Sequence, residues 1–222
     1  MKLVSLGNCF GAARLYQNIF KRIEILYKET DFASLRTIEK GDVVMFGGGE
    51  DISPSIYGQQ ESKWSYAPAT PSMRDTFEIR AYHRAIEVGA SCFGICRGAQ
   101  LLCALSGGKL IQHVTNHGGT HWIDTIDGGK FITSSAHHQM MWPYNLPKDN
   151  FKVLGWTDPP RSTCYVFSEG DVKEEIDEEP EVVYFPKTSS LGVQGHPEFM
   201  SERAPFVRYS KDLLVQFLIE RK

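Results

Sequence analysis

The chain has 222 residues, a formal net charge of −3, and a mixed composition in which 41% of residues are hydrophobic and 23% charged. That length can enclose one sizeable core, and nothing in it calls for more than a single domain over residues 1–222. The weak negative charge argues against a nucleic-acid partner or a basic membrane patch. No apolar stretch approaches a membrane span, and Met1 to Gly7 is too short and interrupted for a signal peptide. The five cysteines, at positions 9, 92, 96, 103 and 164, show neither zinc nor disulfide spacing and are odd in number, which predicts a reducing, cytoplasmic setting.

Taken in chain order, Leu3 to Leu6 predicts a first strand, Ala12 to Phe20 a helix and Arg22 to Tyr27 a second strand. Val43 to Phe46 is a third, running into Gly47-Gly48-Gly49. Ser72, with Asp75 three residues on, predicts a capped helix start. Phe77, Ala81, Ala85 and Val88 recur at helical spacing as that helix's buried face. Cys92 to Ile95 reads as a buried strand. Arg97 to Leu105 follows as a helix that stops at Gly107-Gly108. Short strands alternating with helices predict a mainly parallel sheet covered on both faces. From Phe131 onward the pattern loosens into shorter strands with Gly and Pro turns. The expected fold is therefore α/β, a flavodoxin-like three-layer sandwich with a mainly parallel central sheet and a small antiparallel appendage.

The strand-to-helix junction at Cys96 carries the most chemistry. Gly94-Ile95-Cys96-Arg97-Gly98 is the thiol counterpart of the Gly-x-Ser-x-Gly nucleophile elbow. The glycines on either side remove bulk from a tight turn, and the helix N-terminus favours thiolate over thiol. A suitable base lies a hundred residues downstream, in Gly192-Val193-Gln194-Gly195-His196-Pro197-Glu198. Pro197 pushes His196 towards an extended backbone, in which His196 and Glu198 share a face. The carboxylate can then fix the imidazole tautomer and leave the other nitrogen for a thiol, as in a catalytic triad. The competing reading is a strand-end histidine beside a surface Glu198, with Cys96 an inert core thiol.

Acyl transfer also needs backbone N–H donors for an oxyanion. Gly47 to Gly49 can turn amides towards a substrate at no steric cost. An amide of Gly48 or its neighbour Gly49, paired with the amide of Arg97, is the natural set. A phosphate cradle is disfavoured because no Gly-Lys-Ser/Thr follows and Glu50 and Asp51 repel anions. A purely structural turn remains open. Gly47 to Gly49 and Cys96 each fall directly after a predicted strand, where sites form in parallel sheets.

Phe46 to Pro54, Gly94 to Gln100 and Gly192 to Glu198 together resemble the class I glutamine amidotransferase-like superfamily. The Gly-Gly-x-Asp-x-x-Pro pattern ending in Tyr57-Gly58 is most similar to its γ-glutamyl hydrolase branch, which includes γ-glutamyl-γ-aminobutyrate hydrolases. Arg74-Asp75 and Ser135-Ala136-His137-His138-Gln139 point the same way. The resemblance implies Cys96 as nucleophile, His196 as general base and acid, and Glu198 as orienter. It also implies pocket roles for Gln100, His137, His138 and Gln139. The implied activity is hydrolysis of a small-molecule γ-glutamyl substrate through a thioester, with no cofactor and no metal. Alternatives are a glutaminase subunit delivering ammonia to a separate synthase subunit, and a non-catalytic binding homologue. One departure is Gly195, where the family carries a bulky residue; its smallness is expected to widen the pocket beside His196. Gly7 to Ala13 matches no family motif.

Three further features bear on function. His113, His117 and His121 recur every four residues, but Thr115-Asn116 and Gly118-Gly119 argue against one helix, and no carboxylate is spaced to complete a metal site. His137 and His138 are adjacent, so one faces the pocket and the other away, and the order is not legible. The acidic run Glu169 to Glu181 is expected as a solvated hairpin tip, or as a docking surface for a basic partner.

Overall fold

The computed structural model describes residues 1–7 and 10–220; Asn8 and Cys9, within the unmatched N-terminal stretch, lie outside the described residues. The N-terminal half alternates strands and helices: β1 (Leu3–Leu6), α1 (Phe10–Leu15), β2 (Ile23–Leu26), β3 (Val43–Phe46), α2 (Met73–Val88), β4 (Ser91–Ile95) and α3 (Arg97–Leu105). Short strands follow: β5 (Lys109–Ile111), β6 (His113–Val114), β7 (Gly118–Thr125), β8 (Lys130–Ala136) and β9 (Met140–Trp142). The chain continues through β10 (Lys152–Thr157), β11 (Tyr165–Ser168), β12 (Asp171–Lys173), β13 (Glu179–Phe185), β14 (Ser190–Val193) and α4 (Pro205–Leu214).

The main sheet has nine strands in the order β2-β1-β3-β4-β14-β13-β10-β7-β8. Its first five strands are all parallel and run in the doubly wound order expected of a flavodoxin-like sheet. The remaining pairs are antiparallel. The antiparallel strands thus extend the edge of the parallel sheet instead of standing apart from it. Two small sheets, β12-β11-β6 and β5-β9, make the rest of the appendage.

Alternation along β3 explains the layers. Val44 and Phe46 face one core with Phe77, Ala81 and Ala85 of α2 and Leu101 and Leu102 of α3. Val43 and Met45 face the other, with Ala12 and Ala13 of α1 and Phe206 and Leu214 of α4. The start of α2 carries the expected reciprocal cap: Asp75 N–H donates to Ser72 Oγ at 3.0 Å, and Ser72 N–H to Asp75 Oδ2 at 2.9 Å. Helix α1 is shorter than the sequence suggests. It ends at Leu15, and the chain to Phe20 continues as turns. The acidic run also departs from expectation at its end. Glu179 and Glu181 are buried within β13 at 0% and 1% exposure, because their carboxylates have polar partners inside the protein.

Candidate active site

Parallel register brings the site together. Ile95 pairs with Val193 and Gly94 with Phe46, so β3, β4 and β14 leave the sheet at one level. The residues just beyond are the glycine loop, Cys96 and the segment leading to His196. Cys96 sits at φ 50°, ψ −111°, in the left-handed region that a side chain enters only under constraint. Its N–H donates to Val193 O at 2.8 Å, and its carbonyl accepts from Gln100 N at 3.0 Å to start α3. The flanking glycines are steric necessities. A Cβ on Gly98 would lie 2.2 Å from Phe46 O, and one on Gly94 2.5 Å from the Gly98 carbonyl carbon.

His196 is held by its neighbours. Its backbone N–H donates to Ser134 O at 2.8 Å, and its Nδ1 lies 2.7 Å from Glu198 Oε1. The expected pair is therefore formed, but by a different local route. Pro197 opens a single 3-10 turn over Pro197–Phe199, and this turn, not an extended strand, swings Glu198 under the ring. Burial alone would lower the His196 pKa. Hydrogen bonds with the Cys96 side chain and with Glu198 outweigh it and raise the pKa to about 10, so the ring is an imidazolium at neutral pH. With Nδ1 on Glu198, Nε2 is the nitrogen left for sulfur. Phe199, 68% exposed, stacks on the imidazole with centroids 4.5 Å apart.

The glycine loop is anchored from behind. Arg74 Nη2 donates to Gly47 O at 3.2 Å and to Gly48 O at 3.0 Å, and Nη1 to Glu50 at 2.9 Å. A trans peptide directs its N–H opposite to its carbonyl, so the Gly48 and Gly49 amides face away from Arg74. A Cβ on Gly48 would lie 3.0 Å from His196 Cε1 and 3.6 Å from Cys96 Cβ, which puts the loop in contact with the thiol and the ring. The Arg97 side chain turns inward at 1% exposure, onto Asp75 at 2.5 Å and onto Glu78. Glu78 also accepts from Arg74 Nε at 2.9 Å, so one buried charge network joins the elbow to the loop.

A cleft of about 280 Å³ opens here, lined by Gly11, Ala12, Gly47 to Gly49, His196, Glu198 and Phe199. It lies beyond the ends of β1 and β3, where the sheet order reverses. A larger hollow of about 460 Å³, between Gly58 to Glu61 and the β11–β12 hairpin, contains neither Cys96 nor His196 and has no comparable chemistry.

The four residues expected to bind substrate are distributed differently. Gln100 is buried and donates from Nε2 to Gln139 O at 2.9 Å; Gln139 is buried as well. His137 turns inward, its Nδ1 donating to the same carbonyl at 2.8 Å, and does not reach the cleft. His138 faces the other way, with Nε2 at 2.9 Å from Asp51 beside the glycine loop and its ring against Tyr66. Gly195 does not widen the pocket: a Cβ there would lie 2.3 Å from Thr133 Oγ1 and 2.8 Å from Ser134 O, so β8 fills the space. The histidine series also corrects the sequence picture. His113 stacks on Trp64, whereas His117 and His121 meet the buried carboxylates of Glu179 and Glu181, supplied by a strand sixty residues away. Phe199 and the Arg74 anchor carry no sequence signal beyond the Arg74-Asp75 pair. Cys92 and Cys103 are fully buried, which pushes both thiols up to about 12.

The peptidase C26 profile matches residues 23–143, more than half of the chain. The chain belongs to the peptidase C26 family. The peptidase C26 match takes in the glycine loop, the Cys96 elbow and Gln139; His196 and Glu198 lie beyond it. The glutamine amidotransferase-like protein YvdE of Lactococcus lactis subsp. lactis is 35% identical over 74 residues, which cover 33% of this chain and 30% of that protein. The carbamoyl phosphate synthase small chain of Neisseria meningitidis serogroup B is 36% identical over 64 residues, covering 28% of this chain and 17% of that protein. The chain thus matches less than a third of the length of either relative. Among solved structures, the CTPS glutaminase domain of Trypanosoma brucei with bound acivicin superposes with a TM-score of 0.62 at 13% identity, covering 97% of this chain and 92% of that one. A glutamine amidotransferase of Thermotoga maritima gives 0.54 at 13% identity, covering 99% and 89%. At these identities the likeness establishes the fold of this peptidase C26 member. Among the described residues, no helix is long and apolar enough to cross a membrane.

Proposed function

We propose that the chain hydrolyses a γ-glutamyl amide, either glutamine or a small γ-glutamyl amine or peptide, through a thioester on Cys96. The observation that carries this is the convergence of Cys96, His196 and Glu198 beside a loop whose amides face away from Arg74. The Cys96 sulfur attacks the amide carbon, and the carbonyl electrons move onto oxygen. Amides of Gly48 or Gly49 and of Arg97 hold that oxyanion; one such donor stabilises the transition state by about 3 kcal/mol. His196 delivers its proton to the leaving nitrogen as the C–N bond breaks. The neutral ring then takes a proton from water as the water oxygen attacks the thioester. Collapse releases glutamate and restores the thiolate beside an imidazolium. Glu198 keeps Nδ1 protonated and Nε2 aimed at sulfur throughout.

A second reading rests on the same chemistry: a glutaminase subunit that hands ammonia to a separate synthase. Local similarity to the carbamoyl phosphate synthase small chain favours it. Purified chain assayed for glutamate release from glutamine and from a panel of γ-glutamyl amines separates the two. Strong turnover without another protein supports the hydrolase, and turnover only with a partner supports the subunit. If the folded protein formed no covalent adduct at Cys96 with a glutamine-like diazoketone, both would be lost.

A further inference from the structure

Behind the candidate active site, His117, His121 and His137 surround Glu181 in the interior, all with side chains at 0–1% exposure. His117 Nδ1 lies 3.6 Å from Glu181 Oε1, His137 Nε2 3.8 Å and His121 Nε2 3.0 Å from the same oxygen. Ligand atoms of His117, His137 and Glu181 all fall within 4.8 Å of one another. Tetrahedral zinc with bonds near 2.1 Å holds its ligands about 3.4 Å apart, so this trio needs only small adjustments to close on an ion.

The outer contacts set the rings for that role. Gln139 O can only accept, so His137 Nδ1 carries the proton and the inward Nε2 of the neutral ring presents its lone pair. His117 Nε2 faces Glu179 Oε1 at 3.2 Å, turning Nδ1 towards Glu181. Glu179 is itself fixed by Arg161 N–H, Ser162 N–H and the Tyr165 hydroxyl at 2.9, 2.8 and 2.7 Å. Yet, among the described residues, His117 Nδ1, His137 Nε2 and Glu181 Oε2 are buried without a hydrogen-bond partner. Buried polar atoms rarely go unsatisfied, and three around one point call for a ligand.

We propose that His117, His137 and Glu181, with His121 at the fourth position, form a binding site for a divalent transition metal of the zinc type. Imidazole and carboxylate donors suit that class better than calcium or magnesium, which take oxygen. Two buried carboxylates also gain a compensating dication. The Gln139 carbonyl receives both His137 and Gln100, so the site braces the wall behind α3.

The test is independent of any hydrolase activity. Chelator-treated, folded protein is titrated with Co2+ and dialysed against Zn2+, with metal measured by elemental analysis. About one ion per chain, a tetrahedral d–d absorption band without a thiolate charge-transfer band, and a raised melting temperature are expected. Glu181→Gln and His117→Asn should each abolish the band, whereas Cys96→Ser should leave it intact. Should either cluster variant fail to fold, the band shape of the unaltered chain still separates nitrogen and oxygen ligands from sulfur. Absence of uptake by the folded, unaltered chain would overturn the proposal, as would uptake that survives in folded Glu181→Gln and His117→Asn.

Discussion

Arg74 holds Gly48 by its carbonyl, Nη2 to O at 3.0 Å, and through it fixes which way the amides of the glycine loop point. From that position it orients the donors that the proposed chemistry needs. Replacing Arg74 by Ala should therefore lower kcat by about 100- to 1,000-fold, the range for a lost oxyanion donor, with KM little changed. Steady-state kinetics on glutamine check this, and a rise in KM at unchanged kcat would assign Arg74 to substrate binding instead.

Cys96→Ala removes the nucleophile from an elbow that the backbone already builds. Turnover should fall by about 10⁴-fold or more, while the melting temperature stays within a few degrees. Activity and thermal unfolding measured on one preparation distinguish loss of chemistry from loss of fold.

The pH dependence follows from His196. Its native pKa, about 10, lies above the ordinary value of about 6.5. The stability it contributes is thus fully present below the unfolded pKa and is lost as pH rises through about 10. The same proton serves the leaving amine, so the alkaline limb of kcat should fall in that region. Glu198→Gln removes one of the raising contacts and should move this limb towards neutrality. A pH–rate profile identical in the two proteins would separate Glu198 from the ring's titration.

Arg97 meets Asp75 and Glu78 with all three side chains nearly inaccessible, at 1–3% exposure. Arg97→Met keeps most of the volume but leaves Asp75 without its buried cation, while Glu78 retains Arg74; a loss of about 3–5 kcal/mol is expected for a broken buried pair. Chemical denaturation should register it. A change under about 1 kcal/mol would mean that the carboxylates find other partners.

Gly98→Ala would set a methyl group against the backbone carbonyl of Phe46. Since neither β3 nor α3 can yield without moving the elbow, overpacking of about 1–3 kcal/mol or more is expected, together with loss of turnover. Soluble yield, melting temperature and activity report on it.

What the amino-acid order determined by itself is local. The apolar run into Cys96, the Ser72–Asp75 cap and the glycines closing α3 are written within a few residues of one another, so their physics is complete before any strand finds a partner. The mainly parallel character of the sheet followed from the alternation of short strands and helices. Only the tertiary structure decided what crosses those elements. Pairing between β13 and its neighbours delivers Glu181 to His117 and His137, and no spacing around the histidines announces a carboxylate on another strand. Folding of β8 against the last motif likewise fills the space that Gly195 vacates. Which strand lies beside which is settled by the packing of whole faces, and a side chain's chemical surroundings are fixed only when that packing is complete.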